Sequence, residues 1–138
     1  MADDIVAAER FIVDRVRAAL DNAGLATWKV TPEPYVGDLP VVTFVMLGSE
    51  DVDVADSGDS LFSYPLYQVV ARANGRTISV TNAAAMAIRT ALNREQGSNA
   101  DGEVFWSRRE RTIRMTIPHG QESEILHGGQ YRLCVKGS

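Results

Sequence analysis

One cysteine and two histidines in 138 residues leave little material for covalent or metal chemistry. Cys134 stands alone, so no internal disulfide can form, and a reducing compartment is the natural expectation. It also sits within the alternating run Tyr131–Lys136, with no histidine arranged to activate it, so it reads as a small buried hydrophobe rather than a nucleophile. His119 and His127 are separated by seven residues, whereas paired zinc ligands are usually about two to five apart and need partners. Only Cys134 and loop carboxylates could complete such a set, and loop histidines on the surface are the simpler expectation. No glycine-rich phosphate loop is present: Gly24, Gly37, Gly48 and Gly75 each stand alone at turns. No apolar run approaches the roughly 20 residues of a membrane span. The amino terminus MADDIVAAER lacks the basic-then-apolar order of a signal peptide, so a soluble intracellular product is expected. Basic excess is missing too. The net charge of −4 and a pI near 5.1 argue against binding driven by phosphate neutralisation.

What is present is ordinary globular composition, 45% apolar and 23% charged, at a length that suits one domain with a sizeable core. The chain is organised around Leu61–Ala73, which reads as a strand, and the helical run Thr77–Glu95 behind it. Tyr67, Val69, Ala71 and Ala73 share one side of the strand; Leu66, Gln68, Val70 and Arg72 share the other. Asn74-Gly75 turns the chain, and Thr77 or Ser79 can cap the helix. In that helix Val80, Ala84, Ala87, Ile88 and Ala91 recur at helical spacing, and the alanines let its axis lie close to a sheet. Asp3-Asp4 suits the start of a first helix, whose stripe is Ile5, Ala8, Ile12, Val16, Ala19 and Leu20, ended by Asn22 and Gly24.

Leu25–Thr31 is a short strand candidate, and Pro32 and Pro34 then force an irregular link. Val41–Leu47, VVTFVML, is apolar on both sides, which predicts a strand covered twice. Two helices on one face would cover one side, so a partner chain is expected on the other. Gly48–Ser60 carries Glu50, Asp51, Asp53, Asp56 and Asp59 with no basic residue, and its composition predicts a mobile acidic loop between antiparallel strands. A calcium loop begun at Asp51 fails, because Ala55 occupies a ligand position and Asp56 the glycine position. Gln96–Gly102 reads as a turn, Val104–Trp106 and Thr112–Ile117 as extended, Pro118–Gly129 as a second polar loop, and Tyr131–Lys136 as the last strand. The expected order is α-β-β-β-α-β-β: an α+β fold, mainly antiparallel, with two helices packed on one face.

The run Ser107–Arg114 holds Arg108, Arg109, Arg111 and Arg114 against the single Glu110. Three readings stand side by side. It could bind nucleic acid, with Trp106 stacking a base. It could be a solvated strand edge kept charged against unwanted pairing. Or it could complement the acidic run Glu50–Asp59 of an identical neighbour, giving a subunit interface built from Glu50, Asp51, Asp53, Asp56 and Asp59 on one side and Arg108, Arg109, Arg111 and Arg114 on the other.

The amphipathic helix with FIVDRVRAAL, the stretch PEPYVGDLPVVTFVML, the acidic run, the junction YQVVARANGRT (Ala71, Gly75, Arg76) leading into AAAMAIRTAL, and the terminal GGQYRLCVKG follow one another in an order that resembles the tail terminator, or tail-to-head joining, proteins of long-tailed bacteriophages. The resemblance covers nearly the whole chain, residues 1–138 as a single domain. It implies a structural, non-enzymatic virion protein that forms a hexameric ring on the tail tube, stops tube growth and offers a surface to the head. The implied partners are further copies of itself, the major tail tube protein and the head–tail connector or head-closure protein. Genome DNA would pass through the lumen without specific binding; no membrane, metal or cofactor is implied. The implied location is the virion tail or neck, with assembly in the host cytoplasm. Two alternatives are another neck or tube protein of the same particle, and a small cytoplasmic ligand-binding or enzyme domain with a pocket between the sheet and Pro118–Gly129. Convergent polar groups in a concave site would favour the last of these.

Overall fold

The structure is a computed structural model that describes residues 2–53, 60–75, 78–119 and 122–137, with side chains in 4–50, 62–75, 78–118 and 123–137. The elements are α1 (Ala2–Asn22), β1 (Lys29–Pro32), β2 (Val41–Asp53), β3 (Ser60–Asn74), α2 (Ile78–Leu92), β4 (Glu95–Asn99), β5 (Gly102–His119) and β6 (Glu122–Gly137). The six strands form one sheet in the order β1-β2-β3-β6-β5-β4. Every neighbouring pair is antiparallel except β1 with β2. This is the expected α+β fold, with β4 added.

Residues opposite one another in a ladder share a face. Val42 faces Ala71, Tyr67 faces Tyr131, and Val104 faces Val135, so these side chains share the face on which both helices lie. They form one core with Ala8, Phe11, Ile12, Val16 and Leu20 of α1 and Ala84, Ala87, Ile88 and Leu92 of α2. The helical stripes agree with the sequence pattern except at one turn: Val80 is exposed and Thr81 is buried in its place. Polar contacts pin α1 down. Ser63 donates to the Asp4 carboxylate, and the Tyr67 hydroxyl donates to Glu9 at 3.1 Å. Burial works to raise the Asp4 carboxyl pKa, but the Ser63 and Ile5 hydrogen bonds help hold it below the ordinary value.

Three expectations about loops require correction, and all fail for the same reason. Gly48–Asp53 continues β2, paired from Gly48 with Leu66 to Asp53 with Ser60. Of the Pro118–Gly129 stretch, Pro118 and His119 belong to β5, and 122–129 to β6. Glu95–Asn99 is a strand, so the turn is confined to 100–101. Composition registers how much apolar surface a segment can bury, whereas these segments are ordered by backbone ladders and by side chains reaching from α1. Arg15 donates to the Gln96 carbonyl at 2.5 Å, and Asn99 donates to that of Ala7 at 3.0 Å. At Gly128 the need is close approach: a Cβ there would collide with the Val69 carbonyl oxygen.

The second face of β2 is closed partly by the chain itself, contrary to the expectation of a partner along its whole length. Val41 and Thr43 are fully buried on the side away from the helices, as is Val70 beside them. There Arg72 binds Glu124 at 2.6 Å and reaches Glu33 at 3.6 Å and the Tyr35 carbonyl at 3.4 Å, tying the link after β1 across that end of the sheet. The Glu33–Pro34 and Leu39–Pro40 peptides in this link are cis. Farther along β2 the cover ends: Leu47, at the bulge, is exposed, as is Met46 on the helix side.

Candidate functional site

The uncovered part of the sheet face begins where the Arg72 link stops. Its far end carries two aromatic pairs, because β3 and β5 place their outward residues side by side across β6. Phe62 meets Phe105 edge-on at 5.2 Å, and Tyr64 meets Trp106 at 5.9 Å. The Arg108 guanidinium lies 4.9 Å from the Trp106 ring centre and 3.4 Å from Glu110, which also reaches Arg132 at 3.4 Å. Arg132 in turn donates to the Tyr64 carbonyl at 2.9 Å. A shallow open groove of about 600 Å³ runs beside this cluster, between Arg94, Gln96, Phe105, Trp106 and Arg108. Such a surface, apolar with neutralised charge, suits contact with another macromolecule.

The four arginines read together in the sequence do not share a face. Arg108 and Arg111 pair with Arg132 and Gln130 on the open face, whereas Arg109 and Arg114 pair with Tyr131 and His127 on the helix face. A register shift between Arg109 and Arg111 adds to the separation. Arg109 donates to the Thr112 hydroxyl at 3.0 Å; Arg111 and Arg114 are exposed. On the acidic side Glu50 is exposed on β2, and the backbone of Asp51 and Asp53 lies in the same strand. Asp56 and Asp59 fall outside the described residues. The described part of the acidic run and the basic run are therefore on β2 and β5, with β3 and β6 between them.

The isolated candidates have local roles. Cys134 is buried on the open face, where desolvation raises its thiol pKa despite a hydrogen bond with Tyr64. His127 is on β6 rather than a surface loop, half-buried, with Nδ1 2.9 Å from Oδ1 of Asn82 on α2. His119 ends β5. Among the described residues no three metal-ligating side chains gather. No helix among them is long and apolar enough to cross a membrane. The stretch Pro118–Gly129 envisaged beside a pocket is strand at all its described residues, 118–119 and 122–129. A second groove of about 500 Å³ lies instead between α1 and α2, against Ala18, Ala19, Ala83, Met86 and Ala87. Sequence reasoning missed Phe62, Tyr64, Phe105 and the Glu110–Arg132 contact. Extending the period-two pattern of β3 back through Tyr64 to Phe62 would have placed two of these on the open face.

No family model matches the chain, and no curated protein matches it. Among solved structures, it is similar in fold to a chain from the virion of a native gene transfer agent (GTA) particle, at 15% sequence identity and a TM-score of 0.55, over 89% of this chain and 84% of that one.

Proposed function

We propose that this chain is a structural protein of a phage-like particle, acting as a tail terminator: a ring of identical subunits, six in number, that caps the tail tube and offers a joining surface to the head connector. The supporting observation is the fold shared with a chain of a gene transfer agent virion over nearly its whole length. Placement of the acidic and basic runs on β2 and β5 is in keeping with it, because a head-to-tail ring needs two different surfaces on each subunit. Turnover plays no part in this role, and the open face with its aromatic and arginine groups serves as a contact surface. Electron microscopy of particles made with and without the chain tests the proposal. Tails of uncontrolled length lacking heads in its absence, and a ring of density at the tail's head-proximal end in its presence, are expected. Normal tail lengths without the chain would refute the terminator role and leave another neck or tube position as the reading to pursue.

A further inference from the structure

We infer that neighbouring subunits join by strand pairing, the outer edge of β5 in one copy adding antiparallel to the outer edge of β2 in the next; this rests on the ring reading and specifies its contact. Both edges are half covered within the chain. β1 pairs only with Val41–Phe44 of β2, and β4 only with Gly102–Ser107 of β5. Among the described residues this leaves 45–53 of β2 and 108–118 of β5 without a ladder partner on their outer sides. Unpaired edges of that length are templates for another strand unless something blunts them. Three antiparallel steps separate β2 from β5, so the two strands run in opposite directions. A second copy laid beside the first with the same face outward therefore meets it antiparallel.

Chemistry along the two edges matches in that orientation. The β5 segment has a net charge of +3, from four arginines and one glutamate, and its charge lies mostly towards Arg108–Arg111. The β2 segment has −3, from Glu50, Asp51 and Asp53, all at its far end. The remaining end of each is apolar and uncovered: Met115 and Ile117 are 53% and 39% exposed, Met46 and Leu47 are 40% and 48% exposed. Antiparallel docking sets the arginines against the carboxylates and Arg114–Met115 against Val45–Leu47 at the same time. Charges on an edge meant only to repel other strands would have no such match on the opposite flank. The register that follows puts Arg111 opposite Glu50 and, past the bulge at Leu47, Met115 opposite Val45, each pair on the open face.

The covered halves dictate a stagger. Within one subunit Ile113 is level with Gly128, Val70 and Thr43 across the sheet. Pairing Ile113 with Gly48 of the next copy shifts that copy by the four ladder steps from Val70 to Leu66, about 13 Å along the strands. The four strands between the free edges span about 19 Å at about 4.8 Å each. A shift of about 13 Å over a width of about 19 Å corresponds to strands inclined about 35° to the ring axis, at the lower end of the range in closed barrels. The stagger thus permits a closed ring, with Arg108–Met115 paired to Val45–Val52 between the segments that β1 and β4 cover.

The test places Glu50→Cys and Arg111→Cys together in a Cys134→Ser chain, oxidises the assembled protein, and follows mass and particle size in solution and in purified particles. A ladder of disulfide-linked multimers is expected, absent from Lys29→Cys with Arg111→Cys, whose positions are roughly 30 Å apart in this register. Arg111→Glu should weaken assembly about tenfold or more, and adding Glu50→Arg should recover most of that loss. Oligomers without the ladder, or without recovery by the charge swap, would overturn the strand pairing while leaving the ring. Absence of any oligomer, free or in particles, would overturn both.

Discussion

The two faces of the sheet solve different problems with the same strands. On the helix face the partners are intramolecular and the chemistry is plain: alanines on α2, branched residues on α1, and two buried tyrosines, of which Tyr67 donates to Glu9 of α1. On the other face a single link, tied by Arg72, covers one end, and the rest carries aromatic rings, guanidinium groups and an exposed apolar fringe. A face that is finished within the chain needs no charge to specify what covers it. A face left open must remain soluble alone yet be selective when met, and alternating rings with paired charges meets both needs.

The sharpest way to break that contrast is to remove volume from each side. Leu133→Ala, at a fully buried position under the helices, should cost about 2–5 kcal/mol, because the transfer term and the residual cavity add. Met115→Ala, at the exposed fringe, should stay within about 0.5 kcal/mol in the isolated chain. Urea unfolding of both variants is the measurement. A large loss at Met115 in the isolated chain would mean that the open face is also a folding core.

Arg72 tests the covered end of the open face. Replacing it with Met keeps much of the packing stem but leaves the Glu124 carboxylate, 9% exposed, without its 2.6 Å partner, at a cost of about 2–4 kcal/mol. The double variant Arg72→Met with Glu124→Gln should recover part of that loss, since no buried charge is then stranded. If Arg72→Met alone were neutral by chemical denaturation, the link would be held by packing and the ion pairs would be incidental.

Much of the helix face was legible beforehand because burial writes itself into periodicity. The stripes Ile12–Val16–Leu20 and Ala84–Ile88–Ala91, and the alternation Tyr67–Val69–Ala71, can be read without coordinates. The ends of the strands could not be read in this way. Gly48–Asp53 and Glu95–Asn99 have no apolar side to display, and the hydrogen bonds that order them are made by backbone groups common to every residue. The candidate interface was half legible. Charge runs on β2 and β5 stand out in the sequence, but their separation onto two flanks depends on strand order, and the division of the four arginines between two faces depends on a bulge.

The smallest expected effect concerns His127, at the boundary between the helix face and the free edge. Its ring is half-buried and meets Asn82 of α2 on one side, while Arg114 lies opposite it in the ladder. Desolvation first, and the Arg114 charge second, push its pKa below the ordinary 6.5. The sign follows from proton linkage: between the folded and the ordinary value the unfolded chain binds more protons than the folded one, so stability falls as pH falls through that window and is unaffected above it. Arg114→Ala should therefore raise the His127 pKa and flatten the stability profile between pH 6.5 and the folded value, as read by NMR titration of the ring and by denaturation at several pH values. His127→Gln should remove the slope altogether. In an assembled ring whose β5 edge is paired, Arg114 would lie beside a new neighbour, and the same titration would shift with assembly. A His127 pKa identical in the free chain and in particles would place Arg114 outside the seam, and a raised value in particles would place an acidic strand beside it.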